Sequence, residues 1–202
     1  MKKIVLIALG TLALVGCGGT AKIAGGKEGA AQAFFAASSA SSAGANRTAT
    51  PADITGSASW KCPEGGEASL SGFSLNVNTG GGTGATVNQS FTIKYTNCGA
   101  AKSAAGVAVY NGSFTVTQSV IASSSGASVD QTFKGRIEVQ GAFNDFIEAD
   151  VKQSVSVTGL SSSSGAVSMK LVGTITTSEG TNTFNEDVNV MAGGQIAVAA
   201  SK

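Results

Sequence analysis

The sequence predicts a mainly all-β protein, an antiparallel meander of about eight to ten strands curled into a half-barrel or barrel-like sheet, with a short Ala-rich N-terminal helix. Three observations predict this class. From Trp60 onward, apolar and polar residues alternate with a period of two, which is typical of half-buried strands. The composition, with 28 Gly and only 12% charged residues, favours strands over helices. Turn signals recur between the alternating segments.

The first sixteen residues, MKKIVLIALGTLALVG, have the layout of a secretory signal peptide. Two lysines precede an apolar stretch that runs from Ile4 to Val15. That stretch is too short to span the roughly 30 Å of hydrocarbon in a bilayer. We therefore expect residues 1–16 to be removed.

The four residues Leu14-Val15-Gly16-Cys17 resemble the lipobox of bacterial lipoprotein precursors. The resemblance implies cleavage before Cys17, a diacylglycerol thioether on its thiol, and acylation of the new amino group, for example with palmitate. Several acyl chains make a stable membrane anchor. Gly18, rather than Asp, follows the cysteine, and this favours the outer membrane, at its periplasmic face or at the cell surface. The alternative is an ordinary signal peptide with a chance cysteine.

Three further segments are expected after the signal peptide. Residues 17–29 are rich in Gly and read as a lipid-anchored flexible tether. Residues 30–57 are expected to hold a short helix and a linker, the helical pattern itself running from about Glu28 to Ala40 because Ala dominates there. Phe34 and Phe35 either pack this helix on the sheet or belong to a movable plug. Residues 58–202 are expected to form a single antiparallel β-domain.

The strand pairing of this domain is predicted from its turns. We expect tight turns at Asn111-Gly112, Ser124-Ser125 and Glu179-Gly180, a three-residue loop at 144–146, and a Gly-rich loop at 78–85. These turns predict pairs of apolar residues on one face of the sheet. The pairs are Val109 with Phe114, Val107 with Val116, Val120 with Val129, Val116 with Phe133, Ile175 with Phe184, Leu171 with Val188, and Met169 with Val190.

Cys62 and Cys98 remain as an even pair once Cys17 is assigned to a lipid. In an exported protein such a pair predicts a structural disulfide. A redox pair is the alternative, but the two cysteines lack CxxC spacing.

Polar and small residues interrupt the apolar face. They comprise Gln89, Gln118, Gln131 and Gln153, the glycines Gly135, Gly141 and Gly173, and Glu186, which is expected opposite Gly173. Buried amides need hydrogen-bond partners. The glutamines either bond one another or the helix, or line a partly wet groove in which glycines make room for a ligand or a bend, or lie at a solvated rim.

Several function classes are not expected. The chain has no His, which excludes Ser-His-Asp triads and His-based zinc sites. It also lacks an SxxK motif, and Glu148 and Asp150 are expected to be solubilising groups on the polar face. Without Lys2 and Lys3, 11 basic groups face 12 acidic ones, so nucleic acid is not an expected partner. We expect no enzyme activity, no cofactor and no metal.

The expected function is that of a lipid-anchored cell-envelope protein with a non-catalytic structural or interaction role. Its expected partners are the membrane, through the anchor, and envelope proteins or a lipophilic ligand. One alternative is a carrier or chaperone that binds lipophilic ligands on a concave sheet, an architecture similar to half-barrel lipoprotein carriers at the level of fold alone. A second alternative is a surface adhesin module.

Overall fold

The computed structural model describes residues 21–43, 57–80, 84–100, 102, 106–123, 126–158, 166–190 and 196–198. The predicted signal peptide and Cys17 lie outside these ranges. No helix within them is long and apolar enough to cross a membrane.

The described chain forms one helix and an antiparallel meander of nine strands, as the sequence predicts. Each strand pairs with its neighbours in the sequence, and the described residues contain no ladder between the first and last strands, so the sheet is open. The elements are α1 (Gly26–Ala43), β1 (Ser57–Lys61), β2 (Glu67–Gly80), β3 (Gly84–Gly99), β4 (Ala108–Ser123), β5 (Gly126–Gly141), β6 (Asp145–Thr158), β7 (Ala166–Thr177), β8 (Gly180–Val190) and β9 (Ile196–Val198).

The helix α1 lies on the apolar face of the sheet and is longer than predicted at both ends. Its buried side chains are spaced so that they form one stripe, and all are Ala except Phe34. The Phe34 ring meets Phe114 and Phe133 edge to face, with centroids 6.0 and 5.2 Å away. The Tyr95 hydroxyl donates to the carbonyl of Ala37 at 3.1 Å. Phe34 thus packs α1 on the sheet, as the first alternative for this residue predicted.

Two predicted connections are confirmed. In the β4–β5 hairpin, Val120 pairs with Val129 and Val116 pairs with Phe133. The Gly-rich loop joins β2 to β3, where Gly80 faces Gly84. The predicted turn residues Ser124 and Ser125 lie outside the described ranges.

The predicted turn at Asn111-Gly112 is wrong, because β4 runs straight through these residues and pairs with β5 over its whole length. The pairs Val109–Phe114 and Val107–Val116 therefore do not form. The Asn111 side chain instead accepts the Asn97 N–H at 2.8 Å and supports a bulge in β3, where Asn97 has a φ of 48°. Glycine at position 112 allows the backbones of β4 and β5 to approach closely, because a Cβ there would lie 2.4 Å from the Arg136 carbonyl oxygen.

Two other predicted connections are displaced along the chain. Thr177 pairs with Gly180, so the β7–β8 turn is at 178–179, and the predicted pairs of Ile175 with Phe184 and of Leu171 with Val188 are wrong. Gly173 faces Phe184 instead. The β5–β6 loop is at 142–144 rather than 144–146, because Asp145 already belongs to β6. Each register changes by an even number of residues, so every side chain keeps its predicted face.

The predicted disulfide between Cys62 and Cys98 is confirmed, with a Cα–Cα distance of 5.3 Å. Both cysteines are buried. The bond joins the β1–β2 connection to the bulged end of β3.

Candidate interaction site on the helix face

The four predicted glutamines form one row across the sheet. Gln89 faces Gln118, Gln118 faces Gln131, and Gln131 faces Gln153 on four consecutive strands. The row lies on the same face as α1 and is half-buried. We call it the glutamine row. The alternation predicted its members and their face.

Two members of the glutamine row are hydrogen-bonded to each other. The Gln89 Nε2 donates to the Gln118 Oε1. The Gln153 Nε2 lies 3.8 Å from the Met169 Sδ, a weak acceptor. The predicted hydrogen bonding between glutamines is therefore confirmed for Gln89 of β3 and Gln118 of β4.

The glutamine row divides the helix face into a covered and an uncovered part. On the α1 side of the row, Phe114 and Val116 are 0% and 1% exposed. Leu75 pairs with Gln89 at the β2 end of the row and is 45% exposed, and Val77, which lies beyond the row, is 55% exposed. We call the uncovered part the distal apolar patch, and it consists of Leu75, Val77, Val87, Val120, Val129 and Val155.

The space at the glycines on this face is taken up by neighbouring backbone and aromatic rings rather than left open for a ligand. Gly135 faces Phe114, and Gly173 faces Phe184, so an aromatic ring stands opposite each. Their φ values are 147° and 124°, and an added Cβ would lie 2.3 and 2.2 Å from carbonyl oxygens of the neighbouring strand. Gly141, at the end of β5, approaches the Val107 carbonyl in the same way. Such glycine kinks are a standard means of curving a sheet.

Glu186 lies on the apolar face, as predicted, but opposite Leu171 rather than Gly173. Its carboxylate forms an ion pair with Lys27 of α1, whose ammonium also lies 5.3 Å from the Phe184 ring centroid. The hydrogen bond from Lys27 lowers the pKa of Glu186, against the smaller opposing effect of burial. The helix therefore supplies the partner that a carboxylate on this face requires.

Asp145 is a buried hydrogen-bond centre that the sequence did not reveal. Its carboxylate accepts the N–H groups of Ile23, Phe146 and Ser178 and the Ser178 hydroxyl, all at 2.8–2.9 Å. The sequence predicts that Asp145 lies in a turn. The only signal for its role is the neighbouring Asn144, because Asn and Asp side chains at turns often accept hydrogen bonds from nearby backbone N–H groups. Residues 21–23, which were predicted to belong to a flexible tether, are thus fastened to the sheet by the bond of Ile23 to Asp145 and by bonds of Ala21 and Lys22 to Asn144.

The pKa of Asp145 reflects two opposing effects. Burial raises it, but the four hydrogen bonds together outweigh burial and hold the pKa below its usual value. Because the folded pKa is the lower one, the stabilisation is present above the unfolded pKa of about 3.9 and is lost as pH falls through the folded pKa.

Glu148 and Asp150 lie on the opposite face and are exposed. Asp150 forms an ion pair with Lys134 at 2.9 Å, and Glu148 lies 3.7 Å from Arg136. Among the described residues, no group of three or more acidic, His or Cys side chains is placed to hold a metal ion.

The face opposite α1 carries a polar depression of about 470 Å³ between β2 and β6. An ion pair of Asp130 with Lys152, at 2.9 Å, stands at its edge. Hydrogen bonds from Ser154 and Lys152 lower the pKa of Asp130. The lining consists of hydroxyl, amide and charged side chains and contains no aromatic ring.

Within the described ranges, two surfaces are candidates for function, the distal apolar patch with its glutamine row and the polar depression on the opposite face. Comparison of the chain with protein-family models, with curated proteins and with solved structures finds no match.

Proposed function

We propose that this is a lipid-anchored cell-envelope protein with a non-catalytic interaction role. The anchor is Cys17, and the interaction surface is the distal apolar patch with the glutamine row. The observation that carries the proposal is the division of the helix face. One part is filled by α1 and its partners, whereas the other part leaves Leu75 and Val77 about half exposed. Contiguous exposed apolar residues that are rimmed by polar ones mark interaction sites.

The chemistry of the glutamine row favours a polypeptide partner over acyl chains. Each amide carries two N–H donors and an acceptor oxygen. An acyl chain laid across the row would bury amide groups without partners, at a cost of about 1–3 kcal/mol for each group left unmet. A polypeptide supplies backbone donors and acceptors, and its apolar side chains fit over the valines of the patch.

Site-specific photo-crosslinking tests this role in the cell that makes the protein. A crosslinking amino acid at Val129, in the patch, is compared with one at Ser128, which points to the opposite face of β5. We expect discrete protein adducts from position 129 and none from position 128. Both adduct formation and palmitate labelling should be lost in Cys17→Ala. Equal crosslinking from the two faces would contradict the assigned surface.

The exposure of Leu75 and Val77 also supports a second candidate, a carrier of lipophilic ligands. Native mass spectrometry of the protein, purified without detergent from membranes after release of its anchor by proteolysis, separates the two. A stoichiometric bound lipid would favour the carrier, and its absence the polypeptide partner.

A further inference from the structure

The residues that follow the proposed lipid anchor are fastened to one end of the sheet. Asn144 donates its N–H to the Ala21 carbonyl at 2.9 Å, and the Lys22 ammonium donates to the Asn144 carbonyl at 2.7 Å. Ile23 is buried, and its N–H is held by Asp145 at 2.9 Å. This end of the sheet carries the β1–β2, β3–β4, β5–β6 and β7–β8 connections, and we call it the anchor rim.

The fastening shortens the connection between the anchor and the domain. Cys17 is four residues before Ala21, so the two are at most about 14 Å apart even when the chain is fully extended. If only α1 held the domain, the nine residues from Cys17 to Gly26 would allow roughly 30 Å. The shorter connection limits the distance and the tilt of the domain.

We infer that the anchor rim faces the lipid bilayer and that the distal apolar patch is held away from it. The inference rests on the proposed anchor at Cys17. The strands are long enough to separate the two ends, because β4 has 16 residues and a residue advances about 3.3 Å along a strand. A bilayer therefore contacts the rim, and the patch faces a partner that approaches from the side away from this membrane.

The protein carries a useful reporter of this orientation, its single tryptophan. Trp60 lies in one cross-strand row with Ala68, Tyr95 and Gly112, near the anchor rim. Ile121, which is 48% exposed, lies nine residues beyond Gly112 on β4, or about 30 Å farther from the rim.

The experiment measures energy transfer from tryptophan to dansyl-labelled lipid headgroups in phosphatidylcholine vesicles that contain the lipidated full-length protein. The native protein is compared with the double variant Trp60→Phe/Ile121→Trp. Energy transfer falls steeply with distance, and position 121 is about 30 Å farther from the rim, so we expect Trp60 to transfer more than about tenfold faster than the tryptophan at 121. Equal rates, or faster transfer from position 121, would overturn the inferred orientation.

Two further variants test the fastening. Insertion of about ten Gly and Ser residues between Thr20 and Ala21 leaves the folded domain intact and should bring the ratio of the two rates toward one. Asp145→Ala should lower the ratio as well. A ratio that the insertion leaves unchanged would show that the short connection does not set the orientation.

The mass of the purified protein distinguishes a failure of the proposed anchor at Cys17 from a failure of the inferred orientation. Protein without an acyl group at Cys17 would refute the anchor, and the orientation with it. Acylated protein with equal transfer from both positions would refute the orientation alone.

Discussion

Replacement of Phe34 by Ala tests whether α1 is a packed part of the domain. Phe34 is 0% exposed and meets the rings of Phe114 and Phe133 in edge-to-face geometry. Truncation of a buried Phe costs about 3–5 kcal/mol, and each lost aromatic pair contributes about 0.5–1.5 kcal/mol of that total. We therefore expect Phe34→Ala to lower the free energy of unfolding by about 4 kcal/mol.

The assay is denaturant unfolding followed by the fluorescence of Trp60, with far-ultraviolet circular dichroism as a second probe. Phe35→Ala is the matched control, because Phe35 is only partly buried and its ring contacts Phe34 alone among the described ring pairs. We expect the control to lose less than half as much. A loss below about 1 kcal/mol for Phe34→Ala, or a loss no larger than that of the control, would show that α1 is a loosely held plug.

Three further predictions concern the sheet. Replacement of both Cys62 and Cys98 by Ala opens a loop with a sequence separation of 36 and should cost roughly 4 kcal/mol in the same unfolding assay; an unchanged midpoint would contradict this. Gly135→Ala should cost about 2 kcal/mol or more, seen as a lower melting temperature, because φ is 147° and the new Cβ would lie 2.3 Å from the Ser113 carbonyl oxygen. Burial, and to a smaller extent Tyr95, raises the pKa of Tyr110 to about 12. The contribution of Tyr110 to the stability of the fold is therefore complete below the unfolded pKa of about 10 and is lost as pH rises toward 12. Ultraviolet titration of Tyr95→Phe checks this, and a midpoint near 10 while the circular dichroism stays native would refute it.

The faces of the sheet followed from the sequence because alternation depends only on whether a residue number is odd or even. For this reason the glutamine row and the position of Glu186 on the apolar face were predicted although two registers were displaced. The two displaced connections meet at Asp145, whose bonds to Ser178 and Ile23 join residues 33 and 122 positions apart. No local pattern encodes such contacts.

The Asn111-Gly112 turn failed for a related reason. The dipeptide has the backbone freedom of a hairpin turn, but that freedom serves a bulge in β3 and a close approach to β5. Whether Asn111 and Gly112 form a hairpin turn or continue a strand depends on their contacts with the neighbouring strands. The Cys62–Cys98 bond was predictable because the count of cysteines left only one pair.

The ion pair between Lys27 and Glu186 has a consequence for the order of folding. The two residues are 159 positions apart, so α1 is synthesised early, while β8, which carries its ion-pair partner, is synthesised almost last. The hairpins between them pair near neighbours and can form in the order in which they appear. Phe34 can pack on Phe114 and Phe133 of β4 and β5 before β8 is made, whereas the ion pair of Lys27 forms only with β8. The end of α1 that carries Lys27 is therefore the last part of the helix to be fixed on the sheet.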